Sequence, residues 1–264
     1  MKSLKSEPTI EHSAINDVLI YDIETDSLDV DTARAVFIGM YSYKYGKYFL
    51  FEESEKAEVQ RLIDEHKILV GFNNKEFDNK IMVNITNQFN LEYKVCFDCL
   101  SVIYDFKRRR PNREAVIKLP TGQLLEEALP NRKLKTIGKV LGLSIEKGDI
   151  DYKIFQQDSW TDVEMKDINN YLYKDVKMTR ELFEFYIDYF EPFKEYVDAK
   201  NISKFDYIRS SLGSYTYSAI CNLAGLEPEF EDDFFKLEKR PLNNGGFVLE
   251  PQVPYAENVI YADF

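Results

Sequence analysis

The run Val18-Leu19-Ile20-Tyr21, followed at once by Asp22-Ile23-Glu24, constrains this chain more than any other feature. Four apolar residues ending in acids read as a buried strand, apolar enough to be central in a sheet. Asp22 and Glu24 stand two apart, so in a strand both side chains leave the same face. Two carboxylates on one face of a buried strand repel each other, and each is costly to desolvate. A divalent cation removes both difficulties. For this pair alone, an exposed strand terminus is the plain alternative.

The rest of the chain supplies the layers such a strand needs. Residues 35–53 break at Tyr45-Gly46-Lys47 and read as a hairpin. Apolar residues at 57, 59, 62 and 63 give residues 55–66 a helical spacing. "KILVGFN" (67–73) is a second buried strand, and a short helix is expected from about Phe77, with Ile81, Met82 and Ile85 on one side. Residues 93–106 read as strand-like, and the basic run 107–113 breaks them. A short amphipathic helix is expected over 133–143, ending near Gly142. A long helix is expected over 161–190, opened by a capping box of Thr161 and Glu164. A further helix is expected at roughly 203–223. Strands first, with helices between them, predict an α/β domain over 17–195. A polar lead (1–16) precedes it, and an appended piece (196–264) follows.

Two more acids occupy positions that ask for an explanation. Asp78 follows Phe77 just past the second buried strand, where a helix N-cap is the plain alternative. Asp175 stands among Ile168, Leu172, Val176 and Leu182 in the apolar stripe of the long helix. Tyr171 lies four residues before it, on the same face. A snorkelling acid at the edge of the stripe is the alternative for Asp175 alone. Four acids from three segments, each at a strand end or on a core-facing helix side, fit one shared metal site better than four accidents. Oxygen-only ligands suit Mg²⁺ or Mn²⁺. Two such ions about 3.5–4 Å apart can hold the attacking and leaving oxygens of a phosphoryl displacement.

Composition excludes several other classes. The 264 residues are 44% hydrophobic, enough for a sizeable core. A formal net charge of -12 argues against gripping duplex DNA by bulk charge, though a carboxylate-rich metal site makes a nuclease acidic where it works. The three cysteines include one C-x-x-C, Cys96 and Cys99, with no second pair to make a zinc site. They read as small residues of a buried strand and weakly indicate a reducing compartment. The two histidines, His12 and His66, have no Ser or Cys context that suggests a triad. No run reaches the length of a membrane span and the N-terminus lacks a signal-peptide core, so a cytoplasmic protein without a membrane partner is expected. The basic run 107–113 reads as a solvated loop, with contact to a strand backbone as the functional alternative.

"YDIET" (21–25), "NNKEFD" (73–78) and "YLYKD" (171–175) together resemble the three motifs of the DEDD 3′–5′ exonucleases, and more closely those of the proofreading domain of family B DNA polymerases. The Tyr-x-x-x-Asp spacing of the third resembles the tyrosine subclass; the histidine subclass would place His where Asn170 stands. The resemblance implies a ribonuclease H-like fold with a mixed central sheet flanked by helices. It implies that Asp22, Glu24, Asp78 and Asp175 hold two Mg²⁺ or Mn²⁺ ions and that Tyr171 orients the attacking water. The Thr25 backbone and Phe77 would lie near the terminal nucleotide, and Asn73 or Asn74 would contact single-stranded DNA. "EKGDIDY" (146–152) looks like a segment of protein-primed polymerases, in which Lys147 would position the scissile phosphate. A turn between helix and strand is the alternative there.

Residues 243–264, "NNGGFVLEPQVPYAENVIYADF", are similar to the linker that leads into a polymerase palm. Gly245 and Gly246 match its glycines and DNA contact, Asn243 stands where the motif has Tyr, and Asp263 matches the first polymerase metal ligand. The resemblance implies a chain that acts on the 3′ end of single-stranded DNA and on primer-template DNA. It is expected to cut and not to extend unless a second polypeptide supplies the rest of the polymerase. A free-standing DEDD nuclease acting on RNA or DNA, and a non-catalytic single-strand-binding scaffold, are the other readings.

Overall fold

The computed structural model describes residues 15–75, 77–85, 94–105, 110–111, 117–144 and 148–196, with 205, 207, 208, 220, 221, 224 and 225. Most of the lead 1–16, most of the basic run 107–113 and most of the expected helix at 203–223 lie outside the described residues. So do Lys147, Gly245, Gly246 and Asp263.

Strand β1 (Val18–Thr25) is the middle of a five-stranded sheet. It pairs antiparallel with β2 (Ala35–Ser42), which pairs with β3 (Lys47–Glu52) through the expected hairpin. On its other side β1 runs parallel to β4 (Ile68–Gly71), and β4 parallel to β5 (Val95–Asp98). The sheet is therefore mixed, in the order β3-β2-β1-β4-β5. Helix α1 (Lys56–Asp64) makes the crossover between β3 and β4, and α2 (Asp78–Ile85) that between β4 and β5. Next come a small ribbon of β6 (Tyr104–Asp105) and β7 (Arg110–Pro111), then α3 (Leu125–Ala128), α4 (Leu134–Leu141) and α5 (Asp162–Phe190). The mixed sheet, the hairpin, the crossover helices and the long helix match the sequence expectations.

The alternation along β1 divides the core. Leu19, Tyr21 and Ile23 pack with Val59, Leu62 and Ile63 of α1 and with Ile81 and Met82 of α2. Val18 and Ile20 pack on the other face with Val176, Leu182, Phe183 and Tyr186 of α5. Each such fully buried aliphatic or aromatic side chain contributes about 1.5–3 kcal/mol. Helix α5 begins where its sequence dictates. The Thr161 side chain accepts from the Glu164 N–H, and the Glu164 carboxylate accepts in return from the Thr161 N–H. Helix α4 ends on Gly142 at φ 69°, a left-handed conformation that costs glycine little.

Two expectations are corrected. Residues 93–106 are not one strand: β5 stops at Asp98, whose carboxylate accepts from the Leu100 N–H and opens a 3-10 turn over Cys99–Val102. Cys96 is therefore half-buried on the strand, while Cys99 is buried in that turn. His66, in turn, does have a serine partner. Its Nε2 lies 2.7 Å from Ser42 Oγ, and its Nδ1 lies 2.6 Å from the Leu62 carbonyl. Ser42 and His66 are both fully buried, so the pair staples β2 to the end of α1 and is sealed from any substrate. Burial also pushes the His66 pKa down, which keeps it neutral in that role.

Candidate metal centre

The even-numbered face of β1 that begins with Val18 and Ile20 continues into Asp22 and Glu24, so both acids point toward α5. From α5 comes Asp175, 2% exposed and set among Leu172, Val176 and Met178. One carboxylate oxygen from each of Asp22, Glu24 and Asp175 lies within 4.8 Å of the others. The i, i+2 pair and the misplaced stripe acid thus converge, as their spacing predicts.

Two backbone features make this convergence possible. Gly39 of β2 lies directly across from Asp22. A Cβ built there would stand 2.6 Å from Leu172 Cγ and 2.9 Å from Val176 Cγ2. Only a glycine lets α5 settle this close to the sheet, and Leu172 and Val176 flank Asp175 on the helix. The second feature is a bulge. The β1–β2 register slips between Glu24, opposite Phe37, and Thr25, opposite Ala35. Such bulges bend a strand and re-aim its side chains, and this one sits where Glu24 is delivered.

Asp78 stands apart from the three-acid cluster but close to β1. It opens α2, is 6% exposed, and accepts hydrogen bonds from its own backbone N–H and from that of Ile23, the residue between Asp22 and Glu24. Burial pushes its pKa up to about 7, with the Asp98 charge adding to the rise and the two amides opposing it. Phe77 is half-buried beside the apolar layer of α1 and α2. Tyr171 is half-buried on α5, its ring 6.5 Å from that of Phe155 in the 3-10 turn Tyr152–Gln156. Thr25 is buried, and its hydroxyl donates to the Ser27 carbonyl at 2.7 Å. The two asparagine candidates separate. Asn74 is fully buried, with Nδ2 donating to Tyr21 OH at 3.2 Å and to the Phe97 carbonyl at 3.4 Å. That commitment holds its side chain within the core. Asn73 is half-buried at φ 62°, leaving it as the member of the pair nearer solvent.

Sequence reasoning missed the residues that support these. Asp98 is a third buried acid beside Asp78 and Asp175, 1% exposed, with its carboxylate bound to backbone amides of the Asn73–Lys75 turn. Tyr21 donates to Asn79 Oδ1 behind the sheet. Asp98 was legible only as an acid within an otherwise apolar run, and Gly39 only as a glycine inside a strand, which marks a close backbone approach.

The donor set fits a hard divalent cation. It is made of carboxylate oxygens alone, and a cation would offset the like charge that Asp22, Glu24 and the buried Asp175 bring together. Such a cluster can bind a cation and hold an anionic oxygen beside it.

The comparisons with known proteins agree with this architecture. A family model described as the RNase H superfamily matches residues 19–187, which takes in β1 to α5. A family B DNA polymerase from the hyperthermophilic archaeon Pyrobaculum calidifontis shares the fold at a TM-score of 0.51 and 14% identity. That match covers 79% of this chain and 29% of the polymerase, so the chain spans less than a third of that protein. Lesser likenesses are to Brucella melitensis NrnC bound to pGG (TM-score 0.43, 12% identity, 78% of this chain and 85% of that one). E. coli exonuclease I in complex with a dA16 oligonucleotide follows (TM-score 0.37, 13% identity, 70% and 46%). No curated protein matches the sequence. Among the described residues no helix is long and apolar enough to cross a membrane. With its mixed five-stranded sheet and a family match that covers most of its length, the chain belongs to the RNase H superfamily.

Proposed function

We propose that this chain is a divalent-metal-dependent 3′–5′ exonuclease that removes nucleoside monophosphates from the 3′ end of single-stranded DNA. The observation that carries the proposal is the convergence of Asp22, Glu24 and Asp175 within 4.8 Å on the α5 face of the central strand. Those three carboxylates hold a cation, and Asp78 completes the set from the start of α2. Mg²⁺ or Mn²⁺, when bound, supplies Lewis acidity toward water and the leaving 3′-oxygen. Tyr171, one turn before Asp175, hydrogen-bonds the attacking water and fixes its approach. On this reading Phe77 and the Thr25 backbone, at the end of β1, lie near the terminal nucleotide, and Asn73 contacts the single strand.

The finer reading is the proofreading part of a family B DNA polymerase. It is supported by the ordered motifs "YDIET", "NNKEFD" and "YLYKD", by "KGDIDY", and by the polymerase-like stretch that includes Gly245, Gly246 and Asp263. On that reading the further partner is primer-template DNA.

The test is digestion of 5′-labelled single-stranded DNA with Mg²⁺. Stepwise shortening from the 3′ end, lost in Asp22→Ala and Asp175→Ala, is expected. Undiminished activity in both variants would refute the proposal. A parallel RNA oligonucleotide decides the substrate: preference for RNA removes the proofreading reading and leaves a free-standing nuclease.

A further inference from the structure

We propose that Asp98 is a positioning residue for the nuclease site, acting on Asp78 through the Asn73–Lys75 turn; the inference rests on the exonuclease function above. Asp98 ends β5 and is paired across the parallel ladder with Gly71, the last residue of β4. Its Oδ1 accepts from the Asn73 N–H at 2.8 Å and the Leu100 N–H at 2.9 Å, and its Oδ2 accepts from the Lys75 N–H at 3.3 Å. Hydrogen bonds to an ionised acceptor are roughly twice as strong as neutral ones. The Leu100 bond alone caps a 3-10 turn and needs only one oxygen. The other two bonds reach out of that turn and into the loop that launches α2.

The same loop is clamped from behind. Asn74 fills the space left by the missing side chain of Gly71, where a Cβ would stand 2.7 Å from its own Cβ. Its Nδ2 donates to Tyr21 OH, which donates to Asn79 Oδ1 on α2. The Asn79 N–H then closes onto the Asn74 carbonyl at 2.8 Å. Asp78 lies between these anchors, with its carboxylate on the Ile23 N–H of β1. Asp98 fixes the near end of this loop and Tyr21 the far end, and together they decide where the Asp78 carboxylate stands against Asp22 and Glu24.

Asp98→Asn tests the proposal because it keeps one oxygen for the 3-10 cap and puts an amide NH₂ against the Lys75 N–H. Mn²⁺ is titrated calorimetrically into the metal-free full chain, and turnover of single-stranded DNA is followed in parallel. Two ions are expected in the wild type. In Asp98→Asn the more weakly held ion loses about ten- to a hundredfold in affinity, the range for outer-shell partners of metal ligands. kcat falls with it, KM for DNA holds, and the Lys75 amide exchanges faster with solvent. Ile137→Ala, a core truncation on α4, controls for lost stability and keeps both affinities. Wild-type Mn²⁺ affinities and kcat in Asp98→Asn, or losses no greater than those of Ile137→Ala, would overturn the proposal. So would a wild type that takes fewer than two ions. A wild type that binds two ions and cuts no DNA defeats the exonuclease reading instead, and the Mn²⁺ affinities of Asp98→Asn still decide the role of Asp98.

Discussion

Asp98 and the cluster of Asp22, Glu24 and Asp175 differ in their surroundings. Asp98 sits at the end of β5 with three backbone N–H groups directed at its carboxylate. Asp22, Glu24 and Asp175 are brought by a strand and a helix to within 4.8 Å of one another. The first is a carboxylate that the fold satisfies from its own backbone, which suits a structural part. The second concentrates like charge, and its natural complement is a cation. Burial alone would not separate them, since Asp98 and Asp175 are 1% and 2% exposed. What each carboxylate faces does.

That contrast breaks most sharply by deleting a charge from the cluster. Asp22→Ala or Asp175→Ala is expected to lower nuclease turnover on the order of a hundredfold or more, at least the loss seen for outer-shell partners. Metal-free stability, read as the thermal midpoint, is expected to hold or rise in the same variants, because a like-charge contact is relieved. A large fall in that midpoint would make these acids structural groups instead.

Gly39→Val tests whether the close approach of α5 sets the cluster. Its side chain would collide with Leu172 and Val176. Overpacking of this kind costs about 1–3 kcal/mol of stability, read by urea unfolding, and is expected to weaken Mn²⁺ binding as α5 carries Asp175 away. Unchanged metal affinity in a destabilised variant would separate the packing from the site.

Tyr21→Phe strips the polar link on the opposite face of β1. Asn74 and Asn79 lose their shared partner, at an expected cost of about 1–2 kcal/mol in stability. Turnover should fall less than in the cluster variants, since Asp98 still holds the near end of the loop.

The last expected effect is on the pH dependence of metal-free stability rather than on turnover. Burial raises the pKa of both Asp78 and Asp98 above the usual carboxylate range, Asp78 to about 7. A raised folded-state pKa means the native protein binds the proton more tightly than the unfolded chain does. The contribution of Asp78 to the stability of the metal-free protein is therefore fully present below about pH 4 and is lost as pH rises toward 7. Asp78→Asn should flatten that slope, and added Mg²⁺ should reverse it for the wild type. A slope that is unchanged in Asp78→Asn would remove Asp78 as its source.

The sequence made the local parts of this design legible. The apolar run of β1, the break at Gly46, the stripe of α5 and the Thr161–Glu164 capping box depend on neighbours a few residues away, and each has a periodicity or spacing of its own. The convergence of Asp22, Glu24 and Asp175 was legible for the same reason: every one of these acids violates the pattern of its own element. Asp98 did not stand out, because an acid that ends a strand and caps a 3-10 turn looks like an ordinary terminator. Its partners Asn73 and Lys75 are more than twenty residues away in sequence and announce nothing locally. Gly39 and the Ser42–His66 pair were hidden likewise, since both matter only once α5 or the end of α1 lies against β2.

The central claim is that the three converging carboxylates are a cation site. It is tested most directly by titrating Mn²⁺ into the metal-free chain and into Asp175→Asn, an isosteric change that leaves the helix stripe its shape. Saturable binding in the wild type, weakened at least tenfold in Asp175→Asn, is the predicted result. Equal affinity in the two proteins, or no binding in the wild type, would contradict it.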